Sequence, residues 1–390
     1  MQFTNGIIIF FVIVTVDEVL SKLFNYTTTK SESSCRETNC NTMLRCDDCS
    51  ILRAGQSSNY FFIEKPFISI FVCSDYFNRV IITHELFDKL HKIEVIKITK
   101  TNAWRLQENT FPSSTTLREL YLSENNISII DDFAFGHMTA LTHLYLNNNK
   151  LKSFNAYTIT SGFNIKYLNL GNNSFEGLMD TALYNLKSLT YLNLDGNKFK
   201  NISMGKLINN LESVKVVSMA NNLLTRITKE FFDPLINLEV LNLAFNKISD
   251  IGNAFRHMEN LKTLILSRNH LTAFSKFDFP RMGHSSLQYL AIDYNQLLLM
   301  PNVLEGIPFL KKIAVDGNPW YCNCLKQYRK VFHDRNIQEV CGGDVKYRCQ
   351  DGNNCYRYDP VLSSIGAILD VENVNPDTPN STYYCVLNEF

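Results

Sequence analysis

Residues 117–127 read Leu117-Arg118-Glu119-Leu120-Tyr121-Leu122-Ser123-Glu124-Asn125-Asn126-Ile127. Counted from Leu117, apolar side chains fall at positions 1, 4, 6 and 11, with an asparagine at 9. Leu120 and Leu122 are two apart, so in a short strand they point to one side while Tyr121 faces the other. The leucine before them closes the turn. Asparagine carries both donor and acceptor groups, so stacked asparagines can satisfy loop backbone that no sheet reaches.

Working outward, the same spacing returns at Leu141, Leu144, Leu146, Asn149 and Leu151, then at Ile165, Leu168, Leu170, Asn173 and Phe175. It continues from Leu189 to Phe199 around Asn197, from Val214 to Leu224 around Asn222, and from Leu238 to Ile248 around Asn246. Leu261 to Leu271 around Asn269, Leu287 to Leu297 around Asn295, and Leu310 to Trp320 around Asn318 complete it. Unit starts step by 24, 24, 24, 25, 24, 23, 26 and 23 residues. A weaker unit at Ile93, Ile96 and Ile98 has Thr101 in the asparagine's place, and a more degenerate one starts near Ile68. Apolar residues also recur at the fourteenth position (Ile130, Phe154, Leu178, Ile202, Ile227, Ile251, Phe274, Met300) and around the nineteenth (Phe135, Ile159, Leu183, Leu207, Phe232, Phe279). These two sets are expected to back the strands from the convex side.

Each unit thus turns about seven apolar side chains inward, each worth roughly 1.5–3 kcal/mol when buried, against ordering costs of similar size. One unit cannot hold its shape alone, but a stack can. Parallel strands about 4.8 Å apart over ten units make a strip on the order of 45 Å long, sized for a macromolecule.

Nine asparagines in phase identify the chain as resembling the extracellular, 24-residue class of leucine-rich repeats, over roughly residues 68–320. The resemblance implies an α/β-type solenoid: a horseshoe with a parallel β-sheet on its concave face and disulfide-bonded caps. The expected layout is a signal peptide over 1–21 and a Cys-rich N-terminal cap with a degenerate first repeat over 22–92. The solenoid follows over 93–318, then a Cys-rich C-terminal cap and tail over 319–390.

Composition agrees with an extracellular protein. Lys plus Arg equals Asp plus Glu at 38 each, and basic residues are scattered. No field draws the chain to nucleic acid. Ile7 to Val16 is apolar apart from Thr15, too short to cross a bilayer but suited to a signal-peptide core. An uncleaved anchor is the alternative, since no Lys or Arg precedes the stretch. No later run has 18 apolar residues, so no transmembrane span is expected in the mature chain, which is read as secreted.

The 11 cysteines fall in two clusters, Cys35, Cys40, Cys46, Cys49 and Cys73 at the front and Cys322, Cys324, Cys341, Cys349, Cys355 and Cys385 at the back. A cysteine-free middle between them reads as stapled ends in an oxidising compartment. Cys46-x-x-Cys49 has no matching second pair in the front cluster, which argues against a zinc or redox reading. Asn318-Pro319-Trp320-Tyr321-Cys322-Asn323-Cys324 resembles the start of the family's C-terminal cap. That resemblance implies Cys322–Cys349 and Cys324–Cys385, with Cys341–Cys355 extra, among 15 possible connectivities. The front cap departs from the family's usual spacing and its pairing stays open. The odd cysteine is read either as a disulfide to a second chain, with Cys35 the candidate and a disulfide-linked dimer the result, or as a buried free thiol or a pair bridging differently.

The third and fifth residues of each unit face outward. Tyr121, His143, Tyr145, Tyr167 and Tyr191 therefore form a candidate ligand-binding patch, since exposed tyrosines bury much area and keep a polar tip. The competing reading is that tyrosine simply favours strands. Sequons for N-glycosylation occur at Asn25, Asn126, Asn172, Asn201 and Asn380. A glycan on Asn172 would crowd the same face near Gly171.

No G-x-S-x-G, phosphate loop or H-E-x-x-H occurs, and His84-Glu85 lacks the second histidine. No enzyme activity, metal or cofactor is expected; a protein partner is. The resemblance extends to secreted insect leucine-rich immune proteins and Toll-like ectodomains, which implies recognition of a protein or microbial ligand. The alternative is a matrix protein of the small leucine-rich proteoglycan kind, with Ser161-Gly162 a lone candidate for chain attachment.

Overall fold

The computed structural model describes most of residues 82–340, apart from short stretches such as 154–156, 160–163, 178–181 and 201–210. Five further strands near the termini are also described. The expected signal peptide, Asn25, Asn201, Asn380, Cys341 and Cys385 lie outside the described residues.

In chain order the strands are β1 (Cys35–Glu37), β2 (Met43–Cys46), β3 (Ile70–Cys73), β4 (Val95–Ile98), β5 (Arg105–Leu106) and β6 (Glu119–Tyr121). Then come β7 (Ile129–Ile130), β8 (His143–Tyr145), β9 (Tyr167–Asn169), β10 (Tyr191–Asn193), β11 (Val216–Ser218) and β12 (Val240–Asn242). They end with β13 (Thr263–Ile265), β14 (Tyr289–Ala291), β15 (Lys312–Ala314), β16 (Gln338–Glu339), β17 (Tyr347–Cys349) and β18 (Cys355–Arg357). One 14-stranded sheet runs β1-β2-β3-β4-β6-β8-β9-β10-β11-β12-β13-β14-β15-β16, parallel from β2 onward. The horseshoe expected from the repeat is therefore what the chain forms.

Register follows the repeat. Leu120 lies beside Leu144, Leu144 beside Leu168, and Leu168 beside Leu192. All four are buried, while the residues flanking each are half-buried on the concave side. The degenerate unit near Ile68 is real: β3 pairs with β4, putting Cys73 beside Ile98 at the sixth position. Cys73 is fully buried and disulfide-bonded. Behind the sheet, Phe135, Ile159, Leu183, Phe232 and Phe279 of the nineteenth-position set are buried, as are Ile227 and Ile251 of the fourteenth. Phe87, Phe111 and Phe135 stack there at 5.1 and 5.7 Å.

The asparagine column does what its chemistry requires. Asn149 donates through Nδ2 to the carbonyls of Leu122 and Leu146 at 2.8 and 3.0 Å, and its Oδ1 accepts from Ile127 N at 3.0 Å. Asn173, Asn197, Asn222, Asn246, Asn269 and Asn295 repeat this bridge between units. Thr101, which replaces the first asparagine, instead hands its N–H and Oγ1 to Asn125 Oδ1, both at 2.7 Å.

Position 8 adds a feature the sequence pattern does not announce. Lys100, Glu124, Asn148, Asn172, Gly196, Asn221, Phe245, Arg268, Tyr294 and Gly317 all have φ between 52° and 64°. Every unit turns there through the left-handed region, whatever the residue type.

The C-terminal end is closed by a helix, α1 (Cys322–Asp334), which carries Cys322 and Cys324. Leu325, Tyr328 and Phe332, spaced by three and four, form one face; Leu325 and Phe332 are buried in the solenoid core and Tyr328 packs against it. Asn336 ends the helix in the left-handed region (φ 54°). The Arg335 guanidinium donates to the carbonyls of Leu304 and Ile307, both at 2.6 Å. Beyond it, the backbones of Cys349 and Cys355 face each other across β17 and β18. Among the described residues no helix is long and apolar enough to cross a membrane.

Candidate ligand-binding face

The five patch residues lie on four adjacent strands. Tyr121 and Tyr145 occupy position 5 of β6 and β8; Tyr167 and Tyr191 occupy position 3 of β9 and β10; His143 is at position 3 of β8. They are brought together as one ladder. Tyr121 and Tyr145 stack at 4.3 Å and 4°, and Tyr167 and Tyr191 at 4.2 Å and 7°. A tilted contact of 4.9 Å between Tyr145 and Tyr167 joins the two pairs, so the ladder crosses the strip diagonally. His143 leans on Tyr167 at 5.7 Å and shares a 2.9 Å hydrogen bond with Thr142 Oγ1.

The rings are half-buried, because each covers its neighbour. Their faces are used within the ladder, and what the surface offers is ring edges and hydroxyls. Burial pushes the phenols of Tyr121, Tyr145, Tyr167 and Tyr191 above their ordinary range. Tyr121 OH also donates to Glu119 Oε2 at 2.8 Å. The ladder stays neutral and can both donate and accept at physiological pH.

At the ladder's C-terminal end the floor turns polar. Asn169 Oδ1 accepts from Gly171 N at 3.0 Å and Asn193 Oδ1 from Asp195 N at 2.8 Å. Asp195 Oδ1 accepts from Ser218 Oγ and Ala220 N, both at 2.6 Å. Burial raises the Asp195 carboxyl to about 6, partly countered by the bonds from Ser218 and Ala220. Sequence reasoning missed Asp195; an acid at position 7 between units that have Gly171 and Ala220 there, a position where Asp293 and Asp316 recur later, was the available signal.

Farther along, the outward positions turn apolar: Val240, Ile265, Ala291 and Ala314 form a buried cluster with Ala220, Ala244 and Val340. On its rim Arg268 sits between the rings of Phe245 (5.2 Å) and Tyr294 (3.9 Å).

Of the two described sequons, Asn172 is exposed on the rim with Nδ2 bonded to Asn148 Oδ1 at 2.9 Å. Asn126 is half-buried and donates to Asn102 Oδ1 at 2.9 Å. Among the described residues no group of three His, Cys, Asp or Glu side chains could hold a metal. A shallow depression behind the sheet, lined by Glu108, Ile130, Asp131, Asp132 and Phe133, lies away from the ladder.

Comparison with known proteins agrees with this geometry. A leucine-rich-repeat family model matches residues 91–151, 145–199, 163–210 and 212–271. Toll-like receptor 6 of Dasypus novemcinctus is 30% identical over 141 residues, 35% of this chain and 17% of that receptor. FLRT2, a leucine-rich-repeat transmembrane protein of Rattus norvegicus, is 35% identical over 88 residues, 22% of this chain and 13% of the relative. The chain thus spans less than a fifth of the length of these relatives. Among solved structures, the Drosophila Toll–Spätzle complex aligns with a TM-score of 0.61 at 20% identity, over 73% of this chain and 44% of that one. The leucine-rich-repeat domain of APL1B aligns at 0.58 and 19% identity, over 91% and 98%.

Residues 91–271 thus carry leucine-rich repeats, and the chain has the fold of a leucine-rich-repeat horseshoe. Within that class its fold resembles Toll-like ectodomains and the APL1 repeat domain.

Proposed function

We propose that this protein is a secreted recognition protein, acting in innate immunity, that binds a protein or microbial-surface ligand through its concave face. The observation that carries the reading is the Tyr121–Tyr145–Tyr167–Tyr191 ladder, four neutral rings in continuous contact on the concave face. Rigid tyrosines lose little entropy on binding and make central contacts. Two of the similar folds were solved as protein complexes, Toll with Spätzle and LRIM1 with APL1C, which supports a protein as ligand. The reading includes disulfide-stapled caps, a signal peptide over 1–21, glycans at the sequons and a covalent partner at Cys35.

The test is affinity capture from the secreted fraction without reductant, wild type against Tyr145→Ala/Tyr167→Ala. Removing the two central rings is expected to weaken a specific partner by about 10- to 100-fold. A partner held equally by both proteins would overturn the reading.

A further inference from the structure

The ladder ends beside a carboxylate that no cation among the described residues neutralises. Asp195 is 7% exposed, and Ser218 Oγ and Ala220 N both donate to its Oδ1. The Asn193 side chain also bonds the carboxyl, but no described Lys, Arg or His acts on it. Burying a carboxylate without a cation is unfavourable, so its presence here calls for a reason beyond stability. Asp293 and Asp316 are buried at the same position of later units, but the units on either side of Asp195 have Gly171 and Ala220, so the sheet itself does not require an acid here.

Two amide oxygens lie near Asp195, on Asn169 and Asn193. A Cβ on Gly171 would stand 3.1 Å from Asn193 Oδ1 and 3.2 Å from Asn169 Oδ1. Glycine therefore leaves both amide oxygens uncovered, each already bound once by a backbone N–H and each with a lone pair left. Two amide oxygens and one carboxylate oxygen next to the aromatic rings of Tyr167 and Tyr191 match a group with several donors and a positive charge. Ser218 Oγ, which donates to Asp195, is itself held by Asn242 Nδ2 at 3.0 Å, so the carboxylate is fixed in place before anything binds.

We infer that Asp195, with Asn169 and Asn193, receives a Lys or Arg side chain from a polypeptide ligand lying along the tyrosine ladder. The inference rests on the ladder being the binding face and adds what the ligand must carry. Protonating Asp195 removes the charge that attracts the base, so this contact weakens as pH falls through about 6. The titratable groups facing Asp195 are Tyr167 from β9 and Tyr191 from its own strand, both still neutral there; β11 presents Val216 and Ser218.

The test selects a phage-displayed random peptide library on wild type, on Asp195→Asn and on Tyr145→Ala/Tyr167→Ala. Asparagine keeps an oxygen for Ser218 and Ala220, and a thermal melt checks that the variant folds. Peptides recovered on wild type should be enriched at least twofold in Lys and Arg over those from Asp195→Asn. Replacing the basic residue by Met in one such peptide should cost about tenfold or more on wild type and little on Asp195→Asn. Wild-type capture should fade between pH 7 and 5 while capture on Asp195→Asn does not, which separates Asp195 from His143 two strands away. Equal Lys and Arg content on both proteins, or a pH profile shared by both, overturns the inference and leaves the ladder standing. Peptides indifferent to the double Tyr replacement overturn the ladder reading instead.

Discussion

The rings of Tyr167 and Tyr191 lie 4.2 Å apart and 7° from parallel, each standing on its strand at the same position of successive repeats. Their contact is a direct product of parallel register: equivalent positions sit one strand apart, about the separation of stacked rings. A repeat that places tyrosine at an outward position twice running therefore builds a stack without further instruction.

That stack should govern alkaline behaviour. The phenols of Tyr121, Tyr145, Tyr167 and Tyr191 lie above their ordinary value in the folded protein, mainly through burial. Between pH 10 and those raised values the folded state holds more protons than the unfolded one, so stability falls as pH rises past about 10. Ultraviolet titration of the native protein should show a late-ionising fraction among the 18 tyrosines. Replacing these four by Phe should remove it while keeping the stack. A single native transition near 10 for every tyrosine would count against this account.

Asp195 gives a second pH signature of the same sign and a different window. Its carboxyl rises from 3.8 to about 6 on folding because burial disfavours the charge. Between those values the folded state binds the extra proton, so stability falls by about 3 kcal/mol as pH rises from 4 to 6. Asp195→Asn should flatten that slope. Urea midpoints at pH 4.5 and 7.4 measure it: the variant should gain on wild type at 7.4 relative to 4.5. A gap between the two proteins that does not change with pH rules the account out.

Much of this was legible in the sequence, for a physical reason. Leu120, Leu144, Leu168 and Asn149 act through period and phase, and a repeated phase survives any single misread residue. The tyrosine patch followed from the same phase, because position 3 or 5 fixes which way a side chain points. Ring contacts did not follow: Tyr145 and Tyr167 sit at different positions yet meet at 4.9 Å, which needs side-chain rotamers. Asp195 was hidden because its state depends on Ser218 and Ala220, one unit away, and not on its own neighbours. Helix α1 was missed because the Asn318-to-Cys324 stretch was read for its cysteines, while the spacing of Leu325, Tyr328 and Phe332 lay just beyond it.

The asparagine column should be costly to interrupt. Asn173 donates to the carbonyls of Leu146, Leu170 and Gly171 and accepts from Leu151 N, all within 3.2 Å. Asn173→Ala strips Leu151 N of its acceptor and takes one donor each from the carbonyls of Leu146, Leu170 and Gly171, which keep Asn149 Nδ2, Asn197 Nδ2 and Asn148 N, so a loss of about 1–3 kcal/mol is expected. Asn173→Asp should be as damaging, since a carboxylate cannot donate to those carbonyls. Urea denaturation checks both; a change under 1 kcal/mol for either would show that water replaces the side chain.

Where the left-handed column meets a close neighbour, glycine is required by more than φ. Gly196 has φ 64°, and a Cβ there would fall 1.9 Å from Asn172 Oδ1. Gly196→Ala combines backbone strain with that clash and should destabilise by about 1–3 kcal/mol. Asn148→Gly, at the same position two units earlier with φ 56°, relieves strain and should stay within about 1 kcal/mol of wild type. The two variants together separate the clash from the dihedral, and a loss in Gly196→Ala no larger than the gain in Asn148→Gly would show that the dihedral alone matters.

Arg329 and Glu339 make the sharpest case at the C-terminal end. Glu339 lies in register with Ile313, at a position that is apolar in every preceding unit of the repeat. It is tolerated because Arg329 of α1 grips both its oxygens, Nε to Oε2 at 2.9 Å and Nη2 to Oε1 at 3.0 Å. The pair costs desolvation on both sides, so it ties helix to sheet more than it adds net stability. Arg329→Met strands the carboxylate and should destabilise by about 3–5 kcal/mol. Glu339→Leu alone strands the guanidinium less severely, because Arg329 is better placed to reach water: its side chain is 16% exposed against 4% for Glu339. Arg329→Met/Glu339→Leu restores the apolar pattern of the other units and should recover most of the loss. Additive effects in that double-mutant cycle would mean that the two side chains act independently despite their geometry.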